Sequence, residues 1–266
     1  MSTNRLREKL EQGQVALGGW CSTASPFAAE ILGETGYDYV CIDTQHGLID
    51  YDAMWPMLQA LRGTGATPVV RVPVNRTEWP GKALDAGAEA VIVPMVNSRE
   101  DAERAAAACR YAPVGLRSYG PVRSSGLLGS DPATVNAQVM CLVMIETVTA
   151  LENAEAICST PGVDGVYIGP ADLAISLGVP LAEMGIAAAH VDAIAHIKSV
   201  CLARGRFIGI HTGGGSQARA YAEQGFQMCT VGTDASIFRA TVRDHLAAAR
   251  STGSAERAAG SANPYV

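Results

Sequence analysis

The stretch D-A-G-A-E-A-V-I-V-P, Asp85–Pro94, joins the end of a helical pattern to a short apolar run through one glycine. Ala90–Pro94 is apolar and ends in proline, which predicts a strand buried on both faces. Gly87 stands where the helical pattern stops, and glycine there can take the left-handed conformation that ends a helix. The stretch therefore predicts a helix, a tight turn and a buried strand in succession.

The same joint recurs along the chain. E-T-G-Y-D at Glu34–Asp38 and E-Q-G-F-Q at Glu223–Gln227 repeat it, and P-G-V-D at Pro161–Asp164 is a looser copy. Helical patterns, among them Pro26–Glu34 and Ala188–Ala203, alternate with short apolar runs. The runs are Val15–Cys21, Tyr39–Asp43, Pro68–Arg71, Ala90–Pro94, Val139–Glu146, Gly165–Gly169, Phe207–His211 and Met228–Gly232. Eight such units predict an α/β fold, a (β/α)₈ TIM barrel. An open doubly wound sheet would usually have fewer strands and a glycine-rich first turn.

Three segments fall outside the repeat. A first helix over Thr3–Gln12 is placed to plug the bottom of the barrel. Residues 115–134, rich in Gly, Ser, Pro and Arg, predict a long loop over one face. Residues 251–266 predict a flexible tail or an arm onto a neighbouring subunit. Because no linker divides the rest, residues 1–250 are predicted to form a single domain.

Composition narrows the class of protein. The 266 residues are 48% hydrophobic and 17% charged, which is typical of a chain with a sizeable core. A net charge of −6 argues against a nucleic-acid partner. No apolar run is long enough for a membrane span, and the first residues lack a signal-peptide pattern. The 7 cysteines form no C-x-x-C pair and are interpreted as reduced thiols, so the sequence predicts a cytoplasmic protein.

Polar residues gather at the carboxyl ends of the predicted strands, where barrel enzymes carry their chemistry. Asp43 ends the second strand, with His46 three residues later, and Arg71 ends the third. Glu146 ends the fifth apolar run, and His211 ends the seventh. Asp172 stands just past the sixth strand. Such a set at one rim predicts an active site more strongly than any member alone.

Glu146 and Asp172 are the candidate metal ligands. Glu146 follows five apolar residues, and a buried carboxylate is costly unless a cation balances its charge. Neither local motif contains a basic residue, so the pair predicts a divalent cation with oxygen ligands rather than a structural zinc. The alternatives are a salt bridge within the barrel for Glu146 and a helix N-cap for Asp172.

The other rim residues offer proton transfer and anion binding. Asp43 is expected to accept a hydrogen bond from one imidazole nitrogen of His46 and leave the other for acid–base work. Arg71 offers a fork of donors for an oxyanion, with a barrel salt bridge as its alternative. The segment Gly169-Pro170-Ala171 would present backbone N–H groups to a carboxylate. Trp20 is either a pocket wall or a core residue.

Several motifs resemble one family. D-T-Q-H-G at Asp43–Gly47, M-I-E-T at Met144–Thr147 and G-V-D-G-V-Y-I-G-P-A-D-L at Gly162–Leu173 resemble the class II (metal-dependent) 2-oxo-acid aldolases. That family includes 4-hydroxy-2-oxoheptanedioate aldolase and 2-keto-3-deoxy-sugar-acid aldolases, which act in aromatic-compound and sugar-acid catabolism. V-V-R-V-P, V-P-M-V and Y-A-P-V-G-L-R add to the match, which runs from about Gly18 to Arg250.

The resemblance implies a lyase that cleaves a 4-hydroxy-2-oxo acid reversibly to pyruvate and an aldehyde. Glu146 and Asp172 would bind Mg²⁺, Mn²⁺ or Co²⁺, and Arg71 would contact the keto oxygen. Backbone N–H groups near Ala171 and Asp172 would hold the pyruvate carboxylate, with His46 in proton transfer. The resemblance also implies a homohexamer, a trimer of dimers, in which the last helix swaps between subunits.

The chain departs from the family pattern at three positions. Gln45 stands where the family usually has Glu, and Met144 where it often has Gln. His211 falls where the family often carries an apolar residue near the aldehyde, so it is expected to contact substrate. These departures predict a changed aldehyde pocket more than a changed pyruvate site.

Three other functions remain open from the sequence. An acyl-CoA carbon–carbon lyase of the citrate lyase β or malyl-CoA lyase type would share the metal ligands. A metal-free isomerase could bind phosphate at Gly213–Gly215. A non-catalytic relative could carry Gln45 and Met144 as marks of lost activity. A Schiff-base aldolase is disfavoured because none of Lys9, Lys82 and Lys198 ends a strand.

Overall fold

The strands close into a barrel. A computed structural model describes residues 3–251, in which eight parallel strands pair in chain order and β8 pairs with β1. The strands are β1 (Ala16–Cys21), β2 (Tyr39–Asp43), β3 (Thr67–Arg71), β4 (Ala90–Val93), β5 (Met140–Ile145), β6 (Gly165–Ile168), β7 (Phe207–Ile210) and β8 (Met228–Thr233). The prediction of a (β/α)₈ barrel is confirmed, and every strand lies within about one residue of its predicted bounds.

Helices precede, connect and follow the strands, and all but the first, at the bottom of the barrel, surround it. They are α1 (Arg5–Glu11), α2 (Pro26–Glu34), α3 (Tyr51–Ala60), α4 (Glu78–Asp85), α5 (Arg99–Cys109), α6 (Ser125–Leu128), α7 (Pro132–Gln138), α8 (Val148–Glu152), α9 (Ala154–Cys158), α10 (Pro170–Ser176), α11 (Ala188–Ala203), α12 (Gly215–Glu223) and α13 (Asp234–Arg250). A 3₁₀ turn spans Leu181–Glu183. The segment 115–134 is not wholly loop, because it contains α6 and the start of α7.

The helix-to-strand joints have the predicted backbone conformation. Gly36, Gly87, Gly162 and Gly225 have φ values of 100°, 108°, 85° and 93°, in the left-handed region that glycine adopts at low cost. This turn lets a helix end and a buried strand begin within a few residues. The repeat therefore works as a structural unit as well as a sequence pattern.

The barrel interior is filled from the bottom upward. Leu6 and Leu10 of α1 are buried in the interior cluster, which confirms that the first helix plugs the bottom. Above them the hydroxyl groups of Tyr39 and Tyr167 lie 3.4 Å apart. Gly18 makes room for Tyr39, because a Cβ at this position would collide with the tyrosine ring. The packed interior separates the upper rim, where barrel enzymes carry their active sites, from the bottom of the barrel.

The last described helix, α13, lies on the outside of the barrel and has no buried residue. α13 begins with a capping box between Thr233 and Ser236 and ends at Arg250. The predicted tail, apart from Ser251, lies outside the described residues. All seven cysteines are buried and free of disulfide bonds. Between residues 3 and 251, no helix combines the length and hydropathy that crossing a membrane requires.

Candidate active site

Strand alternation explains why polar side chains meet at the upper rim. Successive residues of a strand point to opposite faces, so every second residue faces the barrel interior. On β5, Leu142 and Met144 lie in the interior cluster, and the next inward position is Glu146. On β2, Cys41 leads in the same way to Asp43. By the same two-residue alternation, Arg71 faces inward two residues after Val69 at the top of β3. His211 faces inward two residues after Gly209 at the top of β7.

Asp43 and Arg71 form a buried ion pair. They are register partners on β2 and β3, so their side chains leave adjacent strands at the same height. Arg71 Nε donates to Asp43 Oδ1 at 2.9 Å, and Nη2 donates to Oδ2 at 2.6 Å. Burial opposes ionisation of Asp43, but the hydrogen bonds and charge of Arg71 outweigh it and hold the pKa of Asp43 below its usual value. The guanidinium is thereby fixed in orientation.

The structure corrects the expected role of Asp43 toward His46. Asp43 Oδ1 accepts from the backbone N–H groups of Gln45 and His46, at 3.0 and 3.2 Å, and not from the imidazole. The reason is that the Arg71 fork already engages both carboxylate oxygens. Asp43 therefore positions His46 through its backbone, while the exposed imidazole of His46 lines a cavity at the rim.

Glu146 and Asp172 come together beside this pair. Glu146 is 1% exposed, and its Oε1 accepts from the Met95 N–H at 2.7 Å. Its Oε2 faces Gly169, because a Cβ on Gly169 would collide with that oxygen. Burial raises the pKa of Glu146, and the charge of Asp172 raises it further, against the opposing effects of the Met95 N–H and Arg71. The two carboxylates are thus close enough to repel.

Among residues 3–251, no Lys or Arg side chain forms a salt bridge with either carboxylate of this pair. Arg71 is near, but its fork is engaged with Asp43. Over the described range, no group of three or more His, Cys, Asp or Glu side chains is arranged to hold a metal. A cation at Glu146 and Asp172 would therefore have two carboxylate ligands and complete its coordination with water and substrate oxygens. Mg²⁺ and similar hard ions commonly bind in this way, so the residues present fit a divalent metal.

A cavity of about 300 Å³ brings most of the predicted residues together. Residues of the rim and of the loops after β6 and β7 line it. The lining comprises His46, Arg71, Met144, Gly169, Pro170, Ala171, Asp172, Met184, His211, Thr212, Gly213 and Gln217. Gly169–Asp172 forms the start of α10, where the first N–H groups of a helix have no partner within the helix. The predicted carboxylate-binding turn therefore opens into the cavity.

Trp20 lies one layer below the cavity and is not part of its lining. It is 2% exposed, with its ring stacked on Tyr167 at 5.8 Å and edge-on to His211 at 4.8 Å. Arg71 Cζ lies 5.1 Å from the centre of the same ring. Trp20 thus supports Arg71 and His211 from beneath, where the sequence had left open a contact with substrate.

His211 enters the cavity as a neutral imidazole. Burial and the positive charge of Arg71 lower its pKa to about 4, although Asp43 acts in the opposite direction. A neutral ring has one donor and one acceptor. His211 therefore offers hydrogen bonding to a hydroxylated substrate rather than a positive charge at neutral pH.

Several cavity residues were missed by the sequence analysis. Met184 comes from the α10–α11 loop, and Thr212 and Gln217 follow β7. Gln217 Oε1 accepts from the Gly213 N–H at 2.8 Å, which occupies one donor of the glycine run considered for phosphate. Met95, whose N–H holds Glu146, has a φ of 56°, uncommon for a residue with a side chain. No sequence pattern marks a methionine for that conformation.

The two departures from the family pattern occupy different surroundings. Met144 lines the cavity with an apolar side chain. Gln45 Oε1 is buried, and within the part of the chain that the structure describes it accepts no hydrogen bond. The change at Met144 therefore alters the cavity itself, whereas the change at Gln45 leaves a polar oxygen beside it.

Comparisons with known proteins identify the family of the chain. Residues 16–241 match the family model described as HpcH/HpaI aldolase/citrate lyase. The chain is 43% identical to a hydroxypyruvate/pyruvate aldolase of Rhizorhabdus wittichii, over 93% of this chain and 99% of the relative. It is 36% identical to a 5-keto-4-deoxy-D-glucarate aldolase of Salmonella paratyphi C, over 90% and 94%.

A solved structure extends the agreement to the fold. An HpcH/HpaI aldolase/citrate lyase family protein from Burkholderia cenocepacia superposes with a TM-score of 0.86 at 34% identity. The superposition covers 94% of this chain and all of that one (100%). The resemblance seen in the sequence motifs is confirmed over nearly the whole chain. The chain belongs to the HpcH/HpaI aldolase/citrate lyase family.

Proposed function

We propose that this protein is a divalent-metal-dependent pyruvate aldolase, a carbon–carbon lyase that cleaves 4-hydroxy-2-oxo acids reversibly to pyruvate and an aldehyde. The observation that carries the proposal is the carboxylate pair Glu146 and Asp172 beside a fixed Arg71 at the upper rim, where Asp172 and Arg71 line one cavity. The family generally depends on a divalent metal. Bound at the two carboxylates, such an ion would supply Lewis-acid polarisation of the keto group of the substrate.

Arg71 stabilises the charge that develops when the substrate splits. Its Nε and Nη2 each donate to Asp43, and the guanidinium has further N–H donors for a substrate oxygen. Cleavage of the C3–C4 bond moves its electron pair onto the pyruvate enolate, whose oxygen then carries negative charge. Because Asp43 and Trp20 already fix the orientation of the guanidinium, Arg71 can stabilise that negative charge without a change in its own position. The N–H groups of Ala171 and Asp172 hold the substrate carboxylate.

His46 accepts the proton of the 4-hydroxyl group as the C3–C4 bond breaks. Its exposed ring lines the cavity, while its backbone is held by Asp43. The enolate then takes a proton at C3 and leaves as pyruvate. No Schiff base is needed, and the lysines are engaged elsewhere. Lys9 pairs with Asp38 at 2.5 Å, Lys82 lies 4.5 Å from the Tyr51 ring centre, and Lys198 donates to the Gln224 carbonyl at 2.7 Å.

The aldehyde is proposed to be small and hydroxylated. His211, Thr212 and Gln217 place hydrogen-bonding groups in the cavity. The relatives described above are named for hydroxypyruvate, pyruvate and a deoxy sugar acid, all oxygen-rich compounds. The acyl-CoA lyase alternative has less support, because the relatives of highest identity reported above are named as aldolases.

We propose that the protein is a cytoplasmic homo-oligomer, a trimer of dimers that exchanges its last helix. Support comes from α13, which has no buried residue in the isolated chain. Its apolar residues Phe238, Val242 and Leu246 follow at four-residue intervals and are exposed, as are Phe27 and Ile31 on α2. Light scattering coupled to gel filtration is expected to give six times the chain mass of 27.7 kDa.

The activity is tested by exchange of the pyruvate methyl protons in D₂O, followed by NMR. This reaction needs the enolate but no aldehyde. We expect exchange with added Mn²⁺ or Mg²⁺, loss of exchange with EDTA, and recovery when the metal is restored. Absence of exchange in protein with demonstrably bound metal would contradict the aldolase proposal.

A further inference from the structure

His190 is a buried histidine that the proposed chemistry does not use. It lies in the first turns of α11 and is 0% exposed, whereas His196 on the same helix is exposed. Its Nδ1 accepts from the Gly185 N–H at 3.0 Å. Its Nε2 lies 2.8 Å from the Pro170 carbonyl oxygen. Both ring nitrogens are therefore bonded to backbone atoms of other segments.

These two contacts define the state of the ring. Because Nδ1 accepts a hydrogen bond, the proton of the neutral ring is on Nε2, which donates to Pro170 O. The imidazole thus links an N–H of the α10–α11 loop to a carbonyl in the first turn of α10. Pro170 belongs to the turn that lines the cavity beside Asp172. Gly185 follows Met184, which lines the same cavity.

The α10–α11 loop, residues 178–187, makes few other ties to the barrel. Gly178 and Gly185 have φ values of 72° and 77°, and Leu181 and Ile186 are exposed. Within the described chain, the remaining backbone hydrogen bonds of this loop end in the loop itself, on the end of α10 or at the start of α11. His190 is therefore the hydrogen-bonded link between the segment carrying Met184 and the turn carrying Pro170.

We propose that His190 is a positioning residue that fixes Met184 in the cavity wall relative to the Gly169–Asp172 turn, and thereby determines which aldehydes fit. The inference rests on the proposed aldolase function and deepens it. The turn itself is maintained by its own helix, since the Leu173 N–H donates to the Gly169 carbonyl at 3.1 Å. Loss of the His190 side chain should therefore make Met184 mobile and leave the Gly169–Asp172 turn, which binds pyruvate, in place.

The experiment compares three substitutions with one matched control. His190→Leu removes both hydrogen bonds, and His190→Gln retains an amide that can restore at least one of them. Met184→Ala removes the wall directly. His196→Leu changes an exposed histidine of the same helix to the same residue. Each variant is assayed for pyruvate proton exchange and for cleavage of a short and a longer 4-hydroxy-2-oxo acid.

We expect His190→Leu to keep pyruvate exchange within about twofold of wild type and to raise KM for the short substrate about tenfold, the scale of one buried hydrogen-bond pair. The ratio of kcat/KM for long over short substrate should rise about tenfold, because a pocket wall typically discriminates by 10- to 200-fold per methylene. Met184→Ala should raise the same kcat/KM ratio by about tenfold. Because both changes act on the same wall, the double variant His190→Leu/Met184→Ala should raise the ratio by less than about twofold beyond either single variant. His190→Gln should have a ratio between those of His190→Leu and wild type, and His196→Leu should have the wild-type ratio.

An unchanged ratio in His190→Leu, or equal losses of exchange and cleavage, would overturn the positioning role. A readout independent of activity separates this outcome from failure of the aldolase proposal. With methyl-¹³C methionine, the Met184 methyl signal should move toward its unfolded-chain position in His190→Leu and stay in place in His196→Leu. If wild type neither exchanges nor cleaves, the aldolase proposal fails, while a stationary Met184 signal refutes the inference by itself.

Discussion

Two carboxylates at opposite ends of the barrel have contrasting surroundings. Asp164, just before β6 at the bottom, accepts from Arg7 Nη2 at 2.8 Å, Arg110 Nη2 at 2.7 Å and the Cys141 N–H at 2.7 Å. Glu146, just after β5 at the top, accepts from one backbone N–H and lies near a second carboxylate. Both are largely buried, but of the two only Asp164 forms salt bridges with side chains in the described part of the chain.

The difference separates a carboxylate that maintains the fold from one that binds a ligand. A buried charge is tolerated when guanidinium groups and N–H donors surround it, as at Asp164. At Glu146 the balancing charge has to come from outside, which makes the site costly for the fold and useful for binding. Changing each carboxylate should therefore affect different properties, and the following changes are given from the largest expected effect to the smallest.

Glu146→Gln should abolish metal-dependent turnover while leaving the fold intact. The substitution removes one of two charged ligands, so the metal's contribution, on the order of 5 kcal/mol of transition-state stabilisation, should be lost. Thermal unfolding without metal should show equal or greater stability, because the variant no longer buries a carboxylate beside Asp172. Full turnover in Glu146→Gln would exclude the metal site. Glu152→Gln, on α8 a short distance along the chain, is the control.

Asp164→Ala should instead destabilise the fold and spare the chemistry. It leaves Arg7 and Arg110 without their shared partner, and breaking a buried ion pair typically costs about 3 to 5 kcal/mol. Urea unfolding should show a loss of about 4 kcal/mol. The kcat of the remaining folded enzyme should be unchanged. The exposed Asp192→Asn serves as control, and a variant as stable as wild type would contradict the structural role of Asp164.

Arg71→Ala should reduce both turnover and stability. Arg71 stabilises the fold through its ion pair with Asp43 and contributes to the chemistry through its remaining N–H donors. We expect kcat to fall between 100- and 1,000-fold, about 3 kcal/mol, as when an oxyanion donor is removed. Stability should fall as well, because Asp43 is left buried without a cation. Arg71→Lys restores the charge but not the fork. If Arg71→Lys had full activity, the fixed guanidinium geometry would not matter.

Glu89→Gln tests a carboxylate at the bottom of the barrel that forms no salt bridge with any residue between 3 and 251. Burial raises the pKa of Glu89 to about 7, although the charge of Arg5 lowers it. The folded state therefore binds the proton more tightly than the unfolded chain, and stability falls as pH rises through about 7. Unfolding at pH 8 should show Glu89→Gln more stable than wild type by on the order of 2 kcal/mol, with little difference at pH 4. Parallel pH profiles for the two proteins would refute this.

Much of the fold was predictable because its determinants are local. The glycines at the helix-to-strand joints, such as Gly87 and Gly225, predict the left-handed backbone conformation that ends each helix. The apolar runs predict strands buried on both faces. The two short helices near residues 125–138 were not foreseen. They are at most two turns long, and a pattern that short has no visible period.

The site was predictable as a set but not in its pairings. Strand ends and two-residue alternation bring Asp43, Arg71 and Glu146 to one rim. The predicted partner of Asp43, the imidazole of His46, was wrong, whereas the salt bridge given as the alternative for Arg71 is confirmed. The sequence did not identify Asp43 as the carboxylate of that salt bridge, because the two residues meet only through the register of β2 and β3. His190 bonds to backbone atoms of other segments, and the sequence carries no signal for such partners.

The closure of the bottom of the barrel by the first helix has a kinetic consequence. Leu6, Leu10 and the two interior tyrosines fill the lower end of the barrel, so the cavity is reached from the upper rim. Substrate, aldehyde and pyruvate therefore enter and leave on the same side of the barrel. While an aldehyde occupies that side of the cavity, the enolate behind it is shielded from solvent protons. The order in which the two products depart therefore sets whether the enolate is protonated by the protein or by bulk water.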